Sequence, residues 1–258
     1  MVVFEPNNLQ VEMHTITLKN LPQSFDGAKI VHLTDLHSYW FGSREKRVLK
    51  ILKDLEPDFV FITGDFIDPI TELITDRDLS AVRVFWQELG KRYQDRIFGV
   101  LGNHDPRKAK DYLEQGGVRV LDNENQKIFI GDESIYLIGV DDPATGRANL
   151  AKAMQGTENN VSKILLAHGP EIMAQKPEKK GIDLILVGHT HGGQINIPVL
   201  RRALKPIKPL SKWGRQYLAG LFEINSTYLY VNRGVGASLI PIRFNCPPEI
   251  AVIELRKE

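Results

Sequence analysis

Short continuous apolar runs alternate along this chain with longer stretches whose apolar positions recur at helical spacing. "KIVHLTDLH" (29–37) reads as a strand, and "SREKRVLKILKDL" (43–55) follows with Val48, Leu49, Ile51, Leu52 and Leu55 on one helical face. Pro57 closes that helix, and "DFVFITGD" (58–65) is the next strand. A helix over 77–93 leads into the strand "RIFGVLGNHD" (96–105), after which Pro106 opens a short helix to about Gln115, proline being suited to a first helical turn. Between 118 and 142, β-branched and aromatic runs are broken by Asp122-Asn123 and Gly131-Asp132, which predicts hairpin-linked strands. A helix near 146–155 precedes the strands "KILLAHG" and "DLILVGHTHGG", and "TYLYVNRG" and "EIAVIEL" supply two more near the end. Strand–helix–strand order with uninterrupted apolar strands argues for a layered α/β fold, with antiparallel stretches extending the sheets. Residues 1–258 are expected to form a single domain, without repeats or Gly/Ser linkers.

Composition changes this picture little. The 258 residues are 42% hydrophobic and 25% charged, and a formal net charge of +1 gives no global reason to bind nucleic acid or membrane. Cys246 is the one cysteine, so neither an intrachain disulfide nor a thiolate cluster is available, and any metal must take nitrogen and oxygen ligands. Glu5, Pro6, Asn7 and Asn8 interrupt the N-terminus where a signal peptide would be apolar, and no window approaches a membrane span. The chain as given is expected to be soluble, cytoplasmic or peripheral to a membrane.

The polar residues that close the apolar runs carry the chemistry. Asp35 and His37 follow "IVHLT", and Gly64-Asp65 follows "FVFIT". Gly102-Asn103-His104-Asp105 follows "IFGVL", His168 follows "ILLA", and His189 and His191 follow "LILVG". Any one of these has an ordinary explanation as a turn residue, a helix cap or a packed histidine. Together they place five of the chain's seven histidines at strand ends, where open α/β sheets bind ligands. Carboxylate, imidazole and amide oxygens suit divalent Mn, Fe, Zn or Co. Asp35-x-His37 and His189-x-His191 each put two side chains on one side of an extended segment, and Asp65 has two oxygens with which to bridge two cations. Two such cations clamp the attacking and leaving oxygens of a displacement at phosphorus.

In this order, the five motifs resemble the calcineurin-like metallophosphoesterases across residues 35–191. The resemblance implies a four-layer α-β-β-α sandwich of two mixed sheets flanked by helices. It implies that Asp35, His37 and His191 hold one metal, that Asn103, His168 and His189 hold the other, and that Asp65 bridges them. His104 would face the substrate and assist the leaving oxygen, with Asp105 as its orienting partner. Pro69 and Asp68 stand where protein Ser/Thr phosphatases have arginine and purple acid phosphatases have tyrosine, which points away from both branches.

"DLHSYWFG", "GHTHGGQINIP", "VNRGVGAS" and "PIRFNCPPEIAVIEL" are similar to a membrane-associated subgroup that includes a UDP-2,3-diacylglucosamine pyrophosphatase of lipid A synthesis. The expectation is a phosphoester or pyrophosphate hydrolase with two divalent metals, manganese foremost, acting on a phosphoester or nucleotide-lipid substrate. Release of UMP and an acylated sugar 1-phosphate would be the product pattern. A broad-specificity phosphodiesterase, including action on cyclic nucleotides, is the alternative, and a non-catalytic scaffold a more distant one. No nucleic-acid partner is expected. Within 199–215, Arg201, Arg202, Lys205, Lys208, Lys212 and Arg215 alternate with Val199, Leu200, Leu204, Ile207, Leu210 and Trp213. That suits either a lid-like insertion near 195–220 facing an anionic membrane surface, or a solvated basic loop whose apolar residues pack on the domain. Arg233 either contacts substrate phosphate or forms an internal ion pair. Gly234, Gly236, His14, His32 and Cys246 read as structural.

Overall fold

The computed structural model describes residues 5–38, 40–67, 76–196, 210–238, 240 and 242–258, with only the backbone of 76–82. Two six-stranded sheets lie face to face. The first contains β1 (Gln10–Leu18), β2 (Lys29–Leu33), β3 (Phe59–Thr63), β4 (Ile97–Val100), β5 (Arg119–Val120) and β12 (Glu249–Lys257), in the order β1-β12-β2-β3-β4-β5. The second contains β6 (Glu124–Ile130), β7 (Glu133–Gly139), β8 (Lys163–Leu166), β9 (Leu184–Val187), β10 (Gly220–Ile224) and β11 (Thr227–Val231), in the order β10-β11-β9-β8-β7-β6. Both are mixed: β2, β3, β4 and β5 run parallel, as do β7, β8, β9 and β11, while β12 meets β2, and β6 and β10 meet their neighbours, antiparallel.

Alternation along the strands builds three hydrophobic layers. Ile30, Phe59, Phe61 and Phe98 point between the sheets and meet Leu137, Ile164, Leu166 and Leu184 from the other side. Val31, Leu33, Val60 and Ile62 point outward, where α1 (Ser43–Leu55), α2 (Asp76–Arg92) and α3 (Ala109–Gln115) cover them with Val48, Leu52, Trp86 and Leu113. On the far face, α4 (Leu150–Ala153) and α5 (Lys212–Gln216) cover Ile138, Leu165 and Ile185. The result is the expected four-layer sandwich. A strand such as β3 is apolar at every position because both of its faces are buried.

The helix predicted over 43–55 is found at those bounds. Glu45 accepts the Gly42 N–H at 3.0 Å at its start, and Glu56 turns left-handed (φ 46°) ahead of Pro57 at its end. Other expectations are corrected. Asp122-Asn123 is not a hairpin turn: β5 pairs with β4 in the first sheet, and β6 begins the second. The chain crosses between sheets there, with Leu121 buried in the central layer. Gly131-Asp132 is the hairpin turn between β6 and β7. The helix expected over 146–155 shrinks to Leu150–Ala153, because the Asp142 carboxylate takes the Ala144 and Thr145 N–H groups and holds the preceding residues in a turn. The helix expected from Pro106 begins at Ala109, after a turn in which Ala109 N–H bonds to Pro106 O.

Candidate metal centre

Five turns carry the polar strand ends to one edge of the sandwich, and the backbone there is unusual. Asp35 (φ 50°), His37 (φ 45°), Asp65 (φ 51°), His189 (φ 68°) and His191 (φ 51°) are all left-handed. Side chains other than glycine take that conformation at a cost, and it clusters where function demands it. Gly234 (φ 79°) lies so close beneath Asp35 that a side chain there would start 2.7 Å from the Asp35 Cβ. Gly236 N–H bonds to Asp35 O at 2.7 Å, so the chain after β11 supports the one after β2.

Two donor sets result. In the first, His191 Nε2 lies 3.2 Å from Asp35 Oδ1 and 3.2 Å from His37 Nε2, which is 3.5 Å from Asp65 Oδ2. In the second, His168 Nε2 lies 3.3 Å from the same Asp65 Oδ2, 3.1 Å from Asn103 Oδ1 and 3.0 Å from His189 Nδ1. Asp35, His37, Asp65 and His191 bring their ligand atoms within 4.8 Å of one another, as do Asp65, His168 and His189. Asp65 belongs to both groups. All six Asp and His side chains are buried.

The hydrogen bonds around the sets leave the inward-facing atoms for a cation. Asp35 Oδ2 accepts from Thr34 Oγ1 (2.8 Å) and His189 N–H (2.9 Å), while its buried Oδ1 has no hydrogen-bond partner. Asp65 Oδ1 accepts His104 N–H at 2.9 Å, and its buried Oδ2 likewise has none. His168 Nδ1 donates to Thr63 O at 2.7 Å, which fixes the tautomer and turns a lone pair on Nε2 inward. Orphaned carboxylate oxygens and convergent imidazole nitrogens are what a pair of divalent cations satisfies. Burial opposes charge on both His168 and Asp65, yet each steadies the other, so the imidazole is raised to about 10 and the carboxyl held well below its usual range. Burial foremost raises Asp35.

Residues 28–193 match the calcineurin-like phosphoesterase family. The chain belongs to that family. It is 32% identical to the uncharacterized metallophosphoesterase YkuE of Bacillus subtilis strain 168, over 98% of this chain and 87% of that protein. It is 30% identical to the phosphodiesterase YaeI of Escherichia coli K12, over 88% of this chain and 82% of that protein. The fold is shared with TT1561 of Thermus thermophilus (TM-score 0.52, 13% identity, covering 81% of this chain and 90% of that one). The protein is therefore a hydrolase of phosphoester bonds, with an Asp/His cluster suited to two metals.

The remaining expected residues of this phosphoesterase fall as follows. His104 is half-buried at the mouth, its ring edge-on to His37 with centroids 5.1 Å apart. Asp105, expected as its orienting partner, has both carboxylate oxygens on backbone N–H groups. Asp105 Oδ1 accepts Phe66 N–H (2.9 Å) and Ile67 N–H (3.3 Å), and Oδ2 accepts Gly102 N–H (2.9 Å), so the carboxylate ties two strand-end turns together. Burial, and then the Asp65 charge, push that carboxyl up to about 7. Arg233 forms the internal ion pair, with Nη2 2.7 Å from Glu12 and Nε 2.8 Å from Glu249, which also accepts from Tyr230 OH. Cys246 is buried and its Sγ contacts His191 O.

Most of the basic stretch 199–215 lies outside the described residues, as do Asp68 and Pro69. Within its described end, Leu210 is buried and Trp213 packs on the domain, stacked on Tyr217, with Lys212 over its ring. No helix among the described residues is long and apolar enough to cross a membrane.

Arg243 was not foreseen. Wholly buried, it donates to the carbonyls of Arg233 (2.8 Å), Gly234 (3.1 Å), Gly236 and Cys246 (3.2 Å), so it clamps the loop that supports Asp35. A lone arginine among prolines gives no periodic signal, and a charged residue is expected at the surface.

Proposed function

We propose that this chain hydrolyses phosphodiester and phosphoanhydride bonds at two divalent cations, manganese foremost. The observation that carries the reading is the single oxygen Asp65 Oδ2, shared by two complete donor sets. Asp35, His37, His191 and Asp65 would hold one ion, and Asn103, His168, His189 and Asp65 the other. When bound, such ions neutralise phosphoryl charge and activate water for attack. The chain's own residues do the rest. The outer oxygens of Asp35 and Asp65 hold the backbone N–H groups of His189 and His104, and the imidazole of His104 donates a proton to the departing oxygen.

UDP-2,3-diacylglucosamine, suggested by the motif resemblance, and simple or cyclic diesters, favoured by similarity to a relative named phosphodiesterase, are the two substrate classes. Side-by-side turnover on UDP-2,3-diacylglucosamine, cyclic AMP and a chromogenic diester, with manganese added, separates them. The reading further predicts that His104→Ala binds metal as the parent does and loses turnover by about 10²–10⁴-fold. Full activity of that variant on an unactivated diester would remove His104 from the mechanism. We also infer that segment 199–215 contacts an anionic membrane surface, supported by its alternation of basic and apolar residues. Salt-sensitive sedimentation with anionic vesicles is the expected result, and its absence defeats the idea.

A further inference from the structure

Beside the metal ligands, two arginines converge on one buried carboxylate oxygen that the chemistry above does not use. Asp141 follows β7, whose parallel register with β8 pairs Gly139 with Leu166. Asp141 thus follows β7 as His168 follows β8, at the same end of two neighbouring parallel strands. Asp141 Oδ2 accepts from Arg147 Nε at 2.9 Å and from Arg107 Nη2 at 3.1 Å. Arg107 lies three residues beyond His104 in the connection between β4 and α3. The two guanidinium groups thus meet at one oxygen, beyond the strand end that neighbours the one carrying His168.

Each guanidinium keeps donors beyond those its ion pairs use. The Asp141 side chain is only 5% exposed and offers one oxygen to both cations, its other oxygen accepting Asp142 N–H at 2.7 Å. A second carboxylate, Asp122, forms a longer ion pair with Arg107 Nη1 at 3.7 Å. The Asp142 carboxylate is taken up by the Ala144 and Thr145 N–H groups. Among the described residues, Arg147 Nη1 and Nη2 and Arg107 Nε have no acceptor, although Arg107 is 68% and Arg147 33% exposed. Two like charges pinned together repel, and an anion placed between their open forks relieves that repulsion while collecting charge-assisted hydrogen bonds.

We propose that Arg107 and Arg147, braced by Asp141, form a subsite for a second phosphate of the substrate, one that is bonded to the reacting phosphate but is not itself attacked. The inference rests on the phosphoester-hydrolase reading above and narrows its substrate class to compounds with two linked phosphates. Planar guanidinium forks match phosphate oxygens two at a time, and Asp141, which holds both, follows the strand beside β8, the strand that ends just before the metal ligand His168.

The test compares two uridine or thymidine nucleotides on the manganese-loaded protein. UDP-glucose carries a second phosphate, and thymidine 5′-p-nitrophenyl phosphate does not. For Arg107→Gln/Arg147→Gln, the ratio of kcat/KM on UDP-glucose to that on the p-nitrophenyl ester is expected to fall about 30-fold, mainly through a higher KM for UDP-glucose. Arg147→Lys, which keeps charge without the fork, should recover part of the ratio. Thermal unfolding and manganese stoichiometry of the variants separate this effect from misfolding. A ratio that stays within threefold of the parent, or parent protein that hydrolyses only the p-nitrophenyl ester, overturns the subsite and leaves the hydrolase reading standing. Parent protein that hydrolyses neither overturns both.

Discussion

At Asp105, both oxygens of one carboxylate are spent on three backbone N–H groups from the turns after β3 and β4. Removing it strands those donors in a buried place, so Asp105→Ala should cost about 2–4 kcal/mol in urea unfolding, whether or not metal is present. A loss confined to turnover, with stability intact, would instead point to a direct role beside His104. His32 makes a different kind of prediction. Wholly buried, it meets Thr63 Oγ1 at 2.8 Å through Nε2, while Nδ1 has no partner, and burial lowers it from 6.5 to about 3. The folded form therefore resists a proton that the unfolded chain accepts. Stability is unaffected above pH 6.5 and falls as the pH drops from there toward 3. Between pH 7 and 5 the linkage amounts to about 2 kcal/mol, and His32→Gln should lose that much less than the parent over the same interval. Equal losses in the two proteins would show that His32 takes up its proton in the folded state.

At the scale of elements, the site depends on how strands end. Gly64 (φ 90°) packs so tightly that a side chain there would begin 2.6 Å from Gly102 N and 2.6 Å from His168 Nδ1. Gly64→Ala should cost about 2–4 kcal/mol in thermal unfolding and weaken manganese binding, because it separates the turns that carry Asp65, Asn103 and His168. Unchanged metal affinity would mean that the turns move independently. These strand ends were legible in the sequence because β3, β4 and β9 are buried on both faces and read as apolar runs, and β2 and β8 nearly so, with only His32 and an initial lysine interrupting them. β1 was not, since it is an edge strand with Val11 and Met13 exposed, and its pattern resembles a polar tail. Nor was the role of Asp122-Asn123, because which strand pairs with which is decided by the packing of Leu121 between the sheets and not by the turn residues.

Across the whole molecule, the two sheets meet at their centre through an apolar layer and at one edge through the polar cluster. Asn232 Nδ2 bonds to His32 O at 3.0 Å and Val235 N–H to Thr34 O at 3.0 Å, so the second sheet's last parallel strand is tied to the first sheet next to Asp35. All seven candidate metal ligands were readable as strand-end motifs, since each closes an apolar run. What holds them was not. Arg243 and the left-handed turns at Asp35, His37, Asp65, His189 and His191 exist only once distant segments have packed. The central claim, that side chains from both sheets surround two cations sharing Asp65, is tested most directly by anomalous diffraction from crystals soaked in manganese. Two peaks about 3.5–4 Å apart, with Asp65 between them, are expected. A single peak, or peaks away from Asp65, would contradict it.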